Sequence, residues 1–294
     1  MALYAFDGTW NTDKPNADQD TNVVWFHNAY TGSKRYWKGV GTRFSFIGKI
    51  VGGINGAGGF ERIEDALKEL KKNFAAGDTV VDVVGFSRGA ALAVHFANKV
   101  GKQTDLAGGQ PPVVRFLGVW DIVGSFGLPG NDIDLGFDLK TPPSAQHILH
   151  CMALDERRLF FPLTRLSGSR PNEGARLMEA WFRGVHSDVG GGDMAQGLSS
   201  IALNFMFTQA TMAGLPIDPA VVLKNAQRMN ADCPISVHQE HRLEELQPFR
   251  TLTIYDLVHV SVKPRQDSGD RHHNNPPATL ARVNDAGERT VVAV

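Results

Sequence analysis

An α/β fold with a mostly parallel central sheet and helices on both faces is what this 294-residue sequence predicts. Three observations carry that prediction. Valine-rich runs at 79–84 and 113–120 read as strands buried on both faces, as the inner strands of a parallel sheet are. Helical segments at 60–74, 90–100 and 199–213 alternate with the strand-like runs. Between the first run and the second helix, Gly85-Phe86-Ser87-Arg88-Gly89 sets a serine between two glycines at a strand-to-helix turn.

Taken in order, residues 2–6 read as a first strand, ending in the polar loop Asp7-Gly8-Thr9-Trp10-Asn11. Residues 34–40 form a second strand, and the glycine-rich stretch 43–59 reads as a mobile loop. In 60–74, Ile63, Leu67, Leu70 and Phe74 share one stripe, which makes an amphipathic helix that stops at Gly77-Asp78. The run 113–120 ends at Asp121, residues 125–145 read as loop, and 146–158 as helix. A short strand at 179–185 leads into His186-Ser187-Asp188-Val189-Gly190-Gly191-Gly192-Asp193. A buried helix at 199–213 starts on a serine cap. Residues 251–262 read as a strand with Val258, Val260 and Val262 on one face. The division expected is a catalytic domain over 1–265 and a polar tail over 266–294 that packs poorly.

Composition narrows the function. Charged residues make up 21% and the formal net charge is −1, so no overall field draws in nucleic acid or an anionic membrane. Two cysteines give neither a disulfide framework nor a metal-ligand spacing. No secretory signal and no membrane-spanning run is visible, so the default location is cytoplasmic, with export by a signal-independent route as the alternative.

The serine turn carries the chemistry. Glycines on either side allow a pinched turn that lifts the serine oxygen above the end of the sheet, the nucleophile elbow of α/β-hydrolases. A neutral serine needs a histidine base, and the base needs a carboxylate. In this fold the order along the chain is nucleophile, acid, histidine. Asp121 ends the strand after the nucleophile strand and is the expected acid. His186 and His259 compete for the base; His186 is favoured because it ends a strand and enters a glycine-rich loop. Asp188 is the reserve acid, paired with His259 if the later strands supply the triad. The Arg88 backbone N–H, with Gly8 or Thr9 from the early loop, would form the oxyanion hole. The predicted reaction is ester hydrolysis through an acyl-enzyme on Ser87, with no cofactor.

Several segments then occur together: Phe6-Asp7-Gly8-Thr9-Trp10-Asn11, Thr21-Asn22-Val23, Gly39-Val40-Gly41-Thr42, Gly85 to Ala90, Gly118-Val119-Trp120-Asp121, Leu154-Asp155-Glu156-Arg157-Arg158 and His186 to Gly192. In that order they resemble the catalytic domain of the type VI secretion lipase effector 1-like family, over about residues 3–265. The resemblance implies an α/β-hydrolase fold, a Ser-Asp-His triad and phospholipase activity against a rival bacterium's membrane. The implied partners are a lipid or smaller soluble ester, a transient membrane surface, and a secretion or immunity protein. Two rival readings stand beside it. One is metal-assisted hydrolysis through His186, Asp188 and Asp193, with Asp7. The other is a hydrolase-fold binding module that has lost its activity.

Overall fold

The computed structural model describes residues 1–9, 19–39, 57–125, 136–168, 172, 174, 176–193, 195–230, 233–235, 247–265 and 273–290. Nine strands make one sheet: β1 (Ala2–Phe6), β2 (Ser33–Trp37), β3 (Val81–Phe86), β4 (Val114–Trp120), β5 (Ala145–Ala153), β6 (Leu177–Phe182), β7 (Leu257–His259), β8 (Ala281–Val283) and β9 (Arg289–Thr290). Their order is β2-β1-β3-β4-β5-β6-β7-β8-β9. Every neighbouring pair is parallel except β8 with β9. The α/β expectation therefore holds.

The chain leaves β1 for β2 on one side and returns to β3 on the other. The C-terminal ends of β1 and β3 thus flank a topological switch point, the crevice where open parallel sheets place their ligands.

The inner strands alternate apolar side chains to both faces. In β1, Leu3 and Ala5 join a core with α1 (Asn22–Ala29) and α5 (Gly197–Met212). Ala2, Tyr4 and Phe6 join a second core with α2 (Ala57–Ala75) and α3 (Ser87–Val100). The α2 stripe behaves as predicted, with Ile63, Ala66 and Leu70 buried. The charge on Asp82, fully buried in β3, is matched by Arg115 from β4 at 2.9 and 2.5 Å, and the Tyr30 hydroxyl donates to it at 2.7 Å.

Four expectations are corrected. Residues 146–158 are not helical: 145–153 form β5, between β4 and β6. Ile, Leu, Met and Ala there suit a helix by propensity, but parallel pairing on both edges overrides it. The strand expected over 251–262 is only Leu257–His259, and a 3-10 turn takes over at Val260. Val260 is exposed while Val258 and Val262 are buried, so the three valines do not share a face. No serine caps α5: Gln196 holds the N-cap position, and the Ser199 hydroxyl donates to the Gln196 carbonyl. The sheet also does not end at 265, because β8 and β9 extend it through residues of the expected tail. Asn274 anchors that stretch, donating to the Asp155 carboxylate and to the carbonyls of Leu154 and Arg250. Most of the loop expected over 43–59, and its counterpart at 126–135, lie outside the described residues.

The elbow is held by two glycines for two reasons. A Cβ on Gly85 would lie 2.6 Å from the Gly89 carbonyl oxygen, so the strand could not pass so close to its own helix. A Cβ on Gly89 would land on the carbonyl oxygens of Phe6 and Asp7, so α3 could not begin against the end of β1. The Gly89→Ala variant should lose about 1–3 kcal/mol of stability, because those oxygens belong to backbone pinned in the sheet. Urea denaturation measures this, and an unchanged midpoint would show that β1 yields freely.

Candidate active site

Ser87 begins α3 in a left-handed conformation, with φ of 59°. That conformation is costly for a residue with a side chain and marks the pinched elbow. Phe86 holds the N-cap position and makes no side-chain cap, so the helix start does not depend on a capping hydroxyl. Asp121, one residue past β4, also has positive φ, at 40°. Both lie at the C-terminal ends of neighbouring strands, as β3 pairs with β4 through Phe86 and Trp120.

His186 opens the short helix α4 (His186–Gly190) after β6. Its Nδ1 is 2.6 Å from Asp121 Oδ2. A donating Nδ1–H leaves Nε2 as the ring's acceptor. The imidazole packs between Phe86 and Phe161, with ring centroids 4.5 and 4.7 Å away. Phe86 directly precedes Ser87, so the ring lies beside the elbow. Among the described residues no hydrogen bond joins the Ser87 hydroxyl to His186. Such bonds are often long before substrate binds.

His259 stands elsewhere. Its Nδ1 is 2.8 Å from the Ser261 hydroxyl, its Nε2 is 3.2 Å from Asp285, and its ring stacks on Phe182. Asp188 accepts the Val185 N–H at 2.9 Å and so caps α4. The Asp188–His259 pairing does not form. A further buried pair, His150 with Glu179 at 2.9 Å, uses both imidazole nitrogens, because His150 Nε2 accepts the Ile122 N–H. It braces the residue after Asp121.

The early loop qualifies the oxyanion expectation. The Gly8 N–H donates to Asp7 Oδ1 at 2.7 Å, so this group is already engaged. Arg88 reaches from the elbow to the Ser125 carbonyl at 2.9 Å and the Thr9 hydroxyl at 3.5 Å, linking the loops after β1 and β4. Burial pushes the Arg88 guanidinium down to about 10, which leaves it charged at neutral pH.

Several motif segments hold this geometry. Asp7 Oδ2 accepts from the hydroxyls of Thr21 and Tyr36 at 2.9 and 2.6 Å. The Asn22 side chain donates to the Val189 carbonyl at 2.8 Å, and Thr21 pairs with Gly191. Gly190 carries no Cβ because one would fall inside the Phe86 ring. Glu156 Oε2 accepts the His186 N–H at 3.1 Å, and Asp155 Oδ2 accepts the Gly184 N–H at 2.6 Å. Sequence reasoning assigned Glu156 no role, nor Arg250, which meets both oxygens of Asp121 at 2.6 and 3.1 Å. Arg250 is 129 residues from Asp121, and no local pattern marks it.

Electrostatics follow from burial and pairing. Burial alone would raise the Asp121 pKa, but the Arg250 charge and the His186 bond hold it well below the usual carboxylate range. Burial pushes the His186 pKa down, and Asp121 only partly restores it. Burial would likewise raise Glu156, but the Arg158 bond and charge bring it down to about 2. Among the described residues, no group of three or more His, Cys, Asp or Glu side chains could hold a metal ion. His186 and Asp188 face different partners, so the metal arrangement drawn from the sequence is not assembled.

The layout is that of an α/β protein whose polar site sits at the switch point of its sheet. The loops of that site carry a family signature. The family described as "T6SS, Phospholipase effector Tle1-like, catalytic domain" matches residues 3–103 and 98–209, and the chain belongs to it. An uncharacterized protein from Pseudomonas aeruginosa has a similar fold, at TM-score 0.54 and 21% identity, over 80% of this chain and 51% of that one. The Tle1 effector bound to the VgrG spike of the type 6 secretion system aligns at TM-score 0.46 and 23% identity, over 65% of this chain and 50% of that one. The chain thus spans about half the length of these solved structures. Among curated proteins no sequence matches it. No helix among the described residues is long and apolar enough to cross a membrane.

Burial raises Asp7 to about 6, against the three hydrogen bonds that favour its charge. A raised carboxyl favours the folded state below its unfolded value, and this contribution fades as pH climbs through about 6. The Asp7→Asn variant lacks that titration. Relative to wild type it should gain up to about 3 kcal/mol between pH 4 and pH 7. Paired urea melts at the two pH values check this, and a gap that does not change with pH would refute it.

Proposed function

We propose that this chain cleaves the carboxylic ester bonds of phospholipids through an acyl-enzyme on Ser87. The observation that carries the reading is the buried His186–Asp121 pair, at 2.6 Å, packed against the residue that precedes a strained serine. Membership of a phospholipase effector family supports the substrate class.

In this mechanism His186 Nε2 takes the hydroxyl proton as Ser87 Oγ attacks the ester carbonyl. The oxyanion is stabilised by the backbone N–H groups of Arg88 and Thr9, since that of Gly8 is committed to Asp7. Collapse expels the alcohol, which takes the proton back from His186. Water, deprotonated by the same nitrogen, then attacks the acyl-enzyme and releases the fatty acid and Ser87. Asp121 holds the ring with Nδ1–H inward and stabilises the imidazolium. No cofactor enters this sequence. Export by the type VI system, contact with a target membrane, and binding to a secretion or immunity protein are proposed on the family alone.

The Ser87→Ala variant should fold normally, lose fluorophosphonate labelling, and lose at least about a thousandfold in phospholipid turnover. His186→Ala should be similarly impaired while His259→Ala keeps most activity; equal, mild losses in both would reject His186 as base. Only the neutral imidazole can accept the serine proton, so kcat/KM should fall as pH drops through the His186 pKa. Because burial lowers that pKa, the acid limb should have its midpoint below the ordinary histidine value of about 6.5. A pH–rate profile with its midpoint above that value would contradict this environment for the base.

A further inference from the structure

Arg250 lies in an irregular segment, and its side chain reaches Asp121. Its Nη1 donates to Asp121 Oδ1 at 2.6 Å and to the Ala153 carbonyl at 2.7 Å. Its Nη2 donates to Asp121 Oδ2 at 3.1 Å and to the Phe161 carbonyl at 2.9 Å. Asp121 also accepts the Ala153 N–H at 2.9 Å and meets His186 Nδ1 at 2.6 Å. Four hydrogen bonds fill the lone-pair directions of one carboxylate. The segment is itself tied down. Asn274 donates to the Arg250 carbonyl at 2.9 Å. The Arg157 side chain donates to the Gln247 carbonyl, and the Gln247 N–H donates to the Arg157 carbonyl, both at 2.7 Å.

We infer that Arg250 is a positioning residue of this site, a buried guanidinium fork that sets the plane of the Asp121 carboxylate for His186 and shares its charge. The inference rests on the hydrolase reading above. It separates into two effects. The fork has two parallel donors, so the carboxylate cannot rotate away from the imidazole. The positive charge also weakens the stabilisation that Asp121 gives to a protonated His186.

The charged groups around the ring make the second effect readable. Asp121 faces it from the end of β4, with Arg250 behind. Glu156 and Arg158 come from the segment after β5 and are paired with each other at 2.6 Å, so their opposite charges largely offset. Asp188, on the same helix as His186, is bound to the Val185 N–H. Phe86 and Phe161 bring no charge. Asp121 is therefore the charge that acts most strongly on the imidazole, and Arg250 reaches the ring through Asp121.

The test compares wild type, Arg250→Met and Arg250→Lys, using phospholipid turnover, the pH dependence of fluorophosphonate labelling at Ser87, and an NMR titration of His186. Arg250→Met should lower kcat by about tenfold to a hundredfold with little change in KM. It should also raise the acid-limb midpoint by about one pH unit, because the imidazolium regains the full attraction of Asp121. Lysine restores the charge but not the fork, so Arg250→Lys should return the midpoint towards wild type while kcat stays low. An unmoved midpoint in Arg250→Met would overturn the inference. If that variant does not fold, Arg250→Lys decides: a wild-type kcat overturns the positioning role, and a reduced kcat at an unmoved midpoint supports it. A wild-type protein that takes no label would instead overturn the hydrolase reading, and the His186 titration would still show whether Arg250 governs the ring.

Discussion

The Asp121 carboxylate joins four stretches of chain that are far apart in sequence. It is buried and charged, and its partners are the Ala153 N–H, His186 and Arg250. An unpaired charge at that depth would be strongly destabilising, so the fold must deliver all of those partners together. Delivering them orders the end of β4, the end of β5, the start of α4 and the segment around 250. The positive φ of Asp121 is tolerated for the same reason, because the surrounding bonds outweigh the strain.

A second set of contacts places the elbow. Gly89 lets α3 start against the end of β1, and Gly85 lets β3 turn tightly into that helix. From there the polar motifs interlock. Asp7 holds Thr21, Thr21 pairs with Gly191, and Asn22 holds Val189. The loop after β6 is thereby fixed to the loop after β1, on opposite sides of the switch point. In this chain several motif residues serve to hold neighbouring loops together, and that division of labour fits a site built from loops over a rigid sheet.

The chain belongs to a phospholipase effector family, yet it spans about half the length of the two solved structures described above. The residues that hold the site all lie within the sheet and its connections, including strands beyond residue 265. The connection leading into β8 contributes directly: its Asn274 donates to Asp155 and to the carbonyl of Arg250. The sheet that carries the site therefore extends further along the chain than the polar composition of that stretch suggests.

Much of this was readable from sequence. Valine-rich strands, the stripe of α2 and the glycine-flanked serine follow from local rules of burial and backbone freedom, which act within a few residues. Ser87, Asp121 and His186 stood out as candidates because each ends a strand or sits at its turn, and the fold brings Asp121 and His186 into contact. Other features depended on neighbours distant in sequence. The stretch 145–153 has helix-forming side chains, and only two flanking strands make it β5. The commitment of Gly8 to Asp7, the parting of Asp188 from His259, and the arrival of Arg250 at Asp121 are matters of folded geometry. Residue order determined which groups could take part; the packing of the sheet decided which of them meet, because a buried charge selects its partners in space and not along the chain.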